Sequence, residues 1–275
     1  MLDQIKCLTT ACDELGLSYA FFDDNQNCVR VTMKHGELFF VNSATSYNRE
    51  ADAQIAEDKY FTYKLCHDVI TMPTTRAYVD PSIPPQYKAY AIHPSYATIA
   101  DDIAQHFELP VVVKRNRGSR GDNVFLCNTS SEILHAVKAI FNHKAKNYDY
   151  VALAETYVPI VREFRAVTFR QKLVLLYEKE KSNATFSGNL SPLHWKNAKA
   201  VPIDDQVLHT RITSFLQPFF TKLPLSYVGF DIALLSDQSL CLIEANTKPG
   251  FDYFIRDNGP QEIVEMYTTI LTENR

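Results

Sequence analysis

At 275 residues the chain is long enough to bury a sizeable core, as one large domain or two to three intimate subdomains. Its apolar content of 46% is that of an ordinary globular protein, and a net charge of -4 argues against a dedicated nucleic-acid binder. Six scattered cysteines without a C-x-x-C pair argue for reduced thiols, and with no membrane-length apolar run and no signal-like start the expectation is a soluble cytoplasmic protein with no membrane partner.

Residues 2–15 carry Leu2, Ile5, Leu8, Cys12 and Leu15 at helical spacing, with Gly16 as the stop. "LSYAFF", "VRVTM" and "ELFFV" follow as short strands, so residues 1–47 form a small α/β unit, short for independent folding. One helix is expected from about Asn48 to Asp68. A proline-rich extended stretch, "TMPTTRAYVDPSIPPQY", precedes a short helix in "YATIADDIAQHF". Then come the strand "LPVVVK", the loop "RNRGSRG", the strand "NVFLC", the helix "SEILHAVKAIFNH" and the strand "YVALAETYV". "EFRAVTF" and "LVLLYEK" pair around Arg170-Gln171-Lys172, and a polar loop covers about 180–203. The helix "DDQVLHTRITSFLQPFF", a hairpin from Gly229 to Asn246 and a helix opening at Pro260 complete the chain. The fold class is α+β with antiparallel sheets.

Three stretches carry candidate chemistry. In "VVVKRNRGSRGDNVFL" four cations crowd Gly118 and Gly121 between two strands, a loop suited to polyphosphate but without the Walker A order. A solvated basic turn is the bland alternative. Lys59 follows Asp58 on the expected helix, where a surface ion pair is the ordinary explanation. In the last hairpin, a four-residue loop Ser236–Ser239 would pair Leu235 with Leu240, and hence Asp231 with Glu244 and Gly229 with Asn246. Facing carboxylates repel, so removing one is expected to relieve the hairpin.

The order of these pieces, with Glu155 and Glu163 between them, resembles the ATP-grasp superfamily over residues 45–275. "IAEDKYFTYKLCHDVITMPTT" and "GFDIALL…LCLIEANTKPGF" are similar to the opening and the metal-binding close of RimK-type and glutathione-synthetase-type ligases. The resemblance implies an ATP-grasp domain over 48–275, two α+β subdomains sandwiching ATP. A lid would span about 110–158 and a metal-binding subdomain about 159–275.

By the same resemblance, Asp231, Glu244 and Asn246 would hold magnesium, with manganese as a substitute. Lys59 and Lys114 would meet phosphates, covered by the backbone of Ser119, Arg120 and Gly121. Glu155, Tyr157 and Val158 would hold adenine, and Glu163 the ribose. Lys179, Arg165, Asn189 and Arg256 are weaker candidates for the catalytic groups. The implied activity is an ATP-dependent carboxylate–amine ligation through an acyl phosphate, on an amino acid, peptide or protein tail. A small-molecule kinase and a nucleotide-binding regulatory module stay open as alternatives. The short opening unit leaves three arrangements of the acceptor pocket: open, completed by a second subunit as in a homodimer, or supplied by a partner protein.

Overall fold

The computed structural model describes residues 1–118 and 121–273. Helix α1 (Asp3–Leu15) ends where Gly16 takes φ 65°, a left-handed cap that glycine adopts without penalty. Strands β1 (Tyr19–Phe21), β2 (Cys28–Met33), β3 (Gly36–Val41) and β4 (Ala44–Thr45) form an antiparallel sheet in sequence order. Val29, Val31 and Met33 alternate inward on β2 and pack with Ile5, Leu8 and Cys12 of α1.

The single helix expected over about 48–68 is two, α2 (Glu50–Glu57) and α3 (Lys59–Cys66). Asp58 breaks it. Its backbone is extended (φ -94°, ψ 103°), and its side chain accepts from Phe61 N at 2.9 Å, capping α3.

A second sheet has the order β5-β8-β6-β7, all antiparallel, from β5 (Thr75–Val79), β6 (Val111–Arg115), β7 (Val124–Cys127) and β8 (Val151–Thr156). Helices α4 (Tyr96–His106) and α5 (Ser130–Ile140) bury Ile99, Ile103, Ile133 and Val137 against Val111, Val113, Ala152 and Ala154. Strand β5, in a proline-rich stretch that reads only as extended chain, is hydrogen-bonded along β8.

The third sheet, β11-β10-β9-β12-β13, comprises β9 (Ile160–Phe169), β10 (Lys172–Glu180), β11 (Lys199–Pro202), β12 (Tyr227–Leu235) and β13 (Leu240–Asn246). Phe164, Ala166, Val228, Phe230 and Ile232 face α6 (Gln206–Lys222) through Ile212, Leu216 and Phe219. On the other face, Val167, Phe169, Leu175 and Tyr227 join α1, α7 (Asp252–Asn258), α8 (Gln261–Thr272) and the opening sheet in one core. The 1–47 unit thus shares its apolar interior with the carboxyl-terminal sheet. Asn48 fastens the join, donating to Tyr227 O at 2.7 Å and accepting from Ser226 N and Tyr227 N. Among the described residues no helix is long and apolar enough to cross a membrane, and all six cysteines are free thiols.

The closing hairpin has the register expected at its chemical end and a different one at its turn. Asp231 faces Glu244, and Gly229 faces Asn246. Near the turn Leu234, not Leu235, pairs with Leu240. The loop has three residues rather than four: Gln238 N donates to Leu235 O, Leu235 N donates to Ser239 O, and Gln238 takes φ 68°. A bulge between the Asp231 and Ile232 pairs absorbs the one-residue difference.

Candidate active site

The register of the third sheet lines up one row of side chains across four strands. Tyr177 on β10 pairs with Arg165 on β9, Arg165 with Asp231 on β12, and Asp231 with Glu244 on β13. Arg165 grips Asp231 through two hydrogen bonds, Nε to Oδ1 at 2.6 Å and Nη2 to Oδ2 at 3.2 Å. Gly229 permits this close lie. A Cβ there would sit 2.9 Å from Pro249 Cβ and 3.4 Å from Arg165 Cδ and Nη1. Lys179 Nζ bridges Glu163 at 2.6 Å and Asp231 at 2.9 Å. Arg165 and Lys179, the weaker candidates by sequence, therefore sit at the centre of the charged face.

Burial pushes the Asp231 carboxyl up, but Arg165 and Lys179 outweigh it and bring it down to about 2. Burial works against the charge on Lys179 too, and Asp231 and Glu163 hold its ammonium above the usual lysine range. The carboxylates of the hairpin thus do not face each other as bare charges. Arg165 and Lys179 neutralise Asp231, and Lys59 Nζ lies 3.4 Å from Glu244 Oε1. This corrects the expectation that deleting Asp231 relieves repulsion. It would instead leave the buried Arg165 without its counter-charge and Lys179 with Glu163 alone.

The second sheet supplies the facing wall. Lys114 on β6 pairs with Glu155 on β8 at 2.7 Å, both buried, and Glu155 also accepts from Thr75 Oγ1 at 3.3 Å. Lys59 is not the partner of Asp58, as its sequence neighbourhood suggests. Its ammonium donates to Gly118 O at 2.6 Å and to Asn116 O at 3.4 Å. Lys59, Thr75, Glu155 and Glu244 line one cleft, with Tyr63, Met72 and Ala245 as its apolar wall. Tyr157 is exposed and Val158 half-buried in the link between β8 and β9.

Two candidates are held elsewhere. Arg256 on α7 donates to Asp257 and to Ala198 O and stacks on Tyr253, so it fastens the end of the 181–198 loop. Asn189 accepts from Ser191 N and, at its carbonyl, from Trp195 Nε1. It also touches the flap, the loop between β6 and β7: a Cβ on Gly121, whose φ is +71°, would fall 1.9 Å from Asn189 Oδ1. Asn246 accepts from Lys248 N at 3.0 Å, forming the turn after β13. Ser119 and Arg120 lie outside the described residues. Sequence reasoning missed Thr75 and Asn116. Thr75 sits in a stretch without periodicity, and Asn116 is hidden among four cations.

Residues 67–270 match the RimK-like ATP-grasp domain family. The chain belongs to that family. This RimK-like chain is 22% identical over 260 residues to an uncharacterized MG012 homolog of Mycoplasma pneumoniae, covering 90% of this chain and 85% of that one. Its fold is similar to a D-alanine–D-alanine ligase from Bacillus anthracis (TM-score 0.57, 17% identity), over 83% of this chain and 70% of the ligase. It is similar to the VanG D-Ala:D-Ser ligase from Enterococcus faecalis (TM-score 0.60, 16% identity), over 82% and 63% of the two chains. Likeness to a bifunctional glutathione synthetase from Pasteurella multocida (TM-score 0.51, 11% identity) covers 97% of this chain and 43% of that one. The mixed α and β architecture with antiparallel sheets is thus the ATP-grasp fold that the resemblance implies.

The family implies a divalent cation, and the donor set can be tested for it. Among the described residues no group of three or more His, Cys, Asp or Glu could enclose a metal. Magnesium needs only one or two carboxylates when substrate phosphates complete its shell. Asp231 and Glu244, side by side with hard oxygens, fit that requirement.

Proposed function

We propose that the protein is an ATP-dependent, ADP-forming carboxylate–amine ligase that makes an amide bond through an acyl phosphate. The observation that carries this reading is the convergence of Lys59, Glu155 and Glu244 on one cleft, beside the Arg165–Asp231–Lys179 cluster. Each cation a triphosphate needs is present there, and each is held by a carboxylate or carbonyl that a nucleotide would displace. Lys59 exchanges Gly118 O for a phosphate oxygen, and Lys114 exchanges Glu155. Charge-assisted contacts of this kind are the stronger hydrogen bonds of proteins.

Glu155, released from Lys114, accepts from the adenine amine, and the backbone of Tyr157 and Val158 meets the adenine edge. Glu163, kept in place by Lys179, accepts from a ribose hydroxyl. Asp231 and Glu244 hold magnesium, which when bound offsets charge on the phosphoryl oxygens. Asn246 adds a carbonyl oxygen beside Glu244. The backbone from Gly118 to Gly121 covers the phosphates and excludes water, which would hydrolyse an acyl phosphate. The substrate carboxylate attacks the γ-phosphate, ADP leaves, and the amine displaces phosphate from the acyl carbon. Positioning and charge neutralisation supply the rate, so no side-chain nucleophile is required.

The acceptor class is an amino acid, peptide or protein tail, with Asn189 and the 181–198 loop on its approach. The test is a screen of amino acids and peptides for ADP release in magnesium, with products weighed by mass spectrometry. The expected result is ADP formed one-for-one with a product lighter by one water than its two parts. A phosphorylated product without condensation supports the kinase alternative, and tight ATP binding without turnover supports the regulatory one.

A further inference from the structure

The start of α3 and the root of the flap are separated by 56 residues in sequence and joined by two side chains. Asp58 and Asn116 are each 3% exposed. Asn116 Nδ2 donates to Asp58 Oδ2 at 2.7 Å, and Asn116 Oδ1 accepts from Tyr60 N at 3.0 Å. Asp58 Oδ1 accepts from Phe61 N, and Asn116 N donates to Val151 O at 3.1 Å. Helix capping needs only one carboxylate oxygen. The second oxygen of Asp58 and the whole amide of Asn116 serve another purpose: they span the gap between α3 and β6. Lys59 lies between them, one residue after Asp58, with its ammonium on the carbonyls of Asn116 and Gly118.

We propose that Asp58 and Asn116 are a positioning pair that fixes Lys59 against the root of the flap and so sets the affinity for the triphosphate. This rests on the nucleotide reading above. Neither side chain touches nucleotide. The pair is directional: the Asp58 side chain only accepts, from Phe61 N, Asn116 Nδ2 and Arg117 Nε, whereas the Asn116 side chain donates once and accepts once. Exchanging the residues restores the bond between the two side chains and those to Phe61 N and Tyr60 N, because asparagine at 58 can donate to aspartate at 116 while still accepting from Phe61 N, and aspartate at 116 still accepts from Tyr60 N. Changing Asn116→Asp alone sets two carboxylates at hydrogen-bond distance with no proton between them. Arg117 Nε, 3.4 Å from Asp58 Oδ2, and Asp149, which accepts from Arg117 N at 2.6 Å, are the other charges facing the pair.

The experiment measures Mg·ATP binding by calorimetry, with thermal melting as a check that each variant is folded. Asn116→Asp should weaken binding by about tenfold or more, equal to ~1.4 kcal/mol, and the swap D58N/N116D should return it to within about threefold of wild type. In a Lys59→Ala background Asn116→Asp should add little further loss, because the pair acts through Lys59. Wild-type affinity in Asn116→Asp, a folded swap that still binds weakly, or additive losses with Lys59→Ala would overturn the proposal. If Asn116→Asp does not fold, the swap decides alone: binding like wild type supports the pair, and a swap that binds weakly or does not fold overturns it. Failure of the wild-type protein to bind Mg·ATP would remove the nucleotide reading itself. Wild-type binding with indifferent variants removes only the pair.

Discussion

Arg165 and Asp231 lie directly opposite one another on neighbouring strands, and the guanidinium holds both carboxylate oxygens, at 2.6 and 3.2 Å. Asp231 is thereby a structural counter-charge as well as a candidate metal ligand, whereas Glu244, on the next strand, is a quarter exposed and among the described residues is ion-paired with Lys59 alone. The two carboxylates should separate in mutation. Asp231→Asn is expected to abolish turnover and to destabilise the fold by roughly 3–5 kcal/mol, as breaking a buried pair does. Glu244→Gln is expected to abolish turnover at a stability cost below about 1 kcal/mol. Urea unfolding alongside ADP release checks both.

The same contact gives a signed pH dependence. The Asp231 carboxyl ordinarily titrates at 3.8 and is held at about 2 in the folded protein. A depressed carboxylate stabilises above its unfolded value, and that stabilisation, roughly 2 kcal/mol, is lost as pH falls from about 4 through 2. Urea midpoints across this window should fall less steeply in Asp231→Asn than in wild type.

Lys114→Ala should weaken Mg·ATP binding by roughly 1.5–3 kcal/mol, the usual worth of a charge-assisted contact. It also strands Glu155, which is 8% exposed, without its 2.7 Å partner. Adding Glu155→Gln should recover stability in thermal melting while leaving nucleotide binding weak.

Gly229→Ala tests the packing behind the site. The new methyl would stand 2.9 Å from Pro249 Cβ and 3.4 Å from two atoms of Arg165. Overpacking of this sort costs about 1–3 kcal/mol, and the displaced guanidinium should lower turnover more than Mg·ATP affinity. Steady-state kinetics and denaturant unfolding measure the two effects separately.

How much of this was legible beforehand depends on the kind of signal. A four-residue turn read from Ser236–Ser239 set Asp231 against Glu244, and that pairing holds because the bulge offsets the shorter turn that forms. The bulge and the three-residue turn were not legible, since Gln238 at positive φ is no sequence rule and the bulge leaves no compositional trace. The break at Asp58 was present as an aspartate able to cap, but the helical pattern on either side ran through it. Arg165 and Lys179 looked ordinary because their significance comes from register across three strands, which no local window contains. Arg256 looked equally plausible in sequence, yet Asp257 and Ala198 hold it.

The most direct test is a crystal structure with magnesium and a non-hydrolysable ATP analogue. The expected result has oxygens of Asp231 and Glu244 about 2.0–2.1 Å from the ion. The Lys59 and Lys114 ammonium groups should lie on phosphate oxygens instead of on Gly118 O and Glu155. A nucleotide bound elsewhere, with those internal pairs intact and no ion against the two carboxylates, would contradict the account.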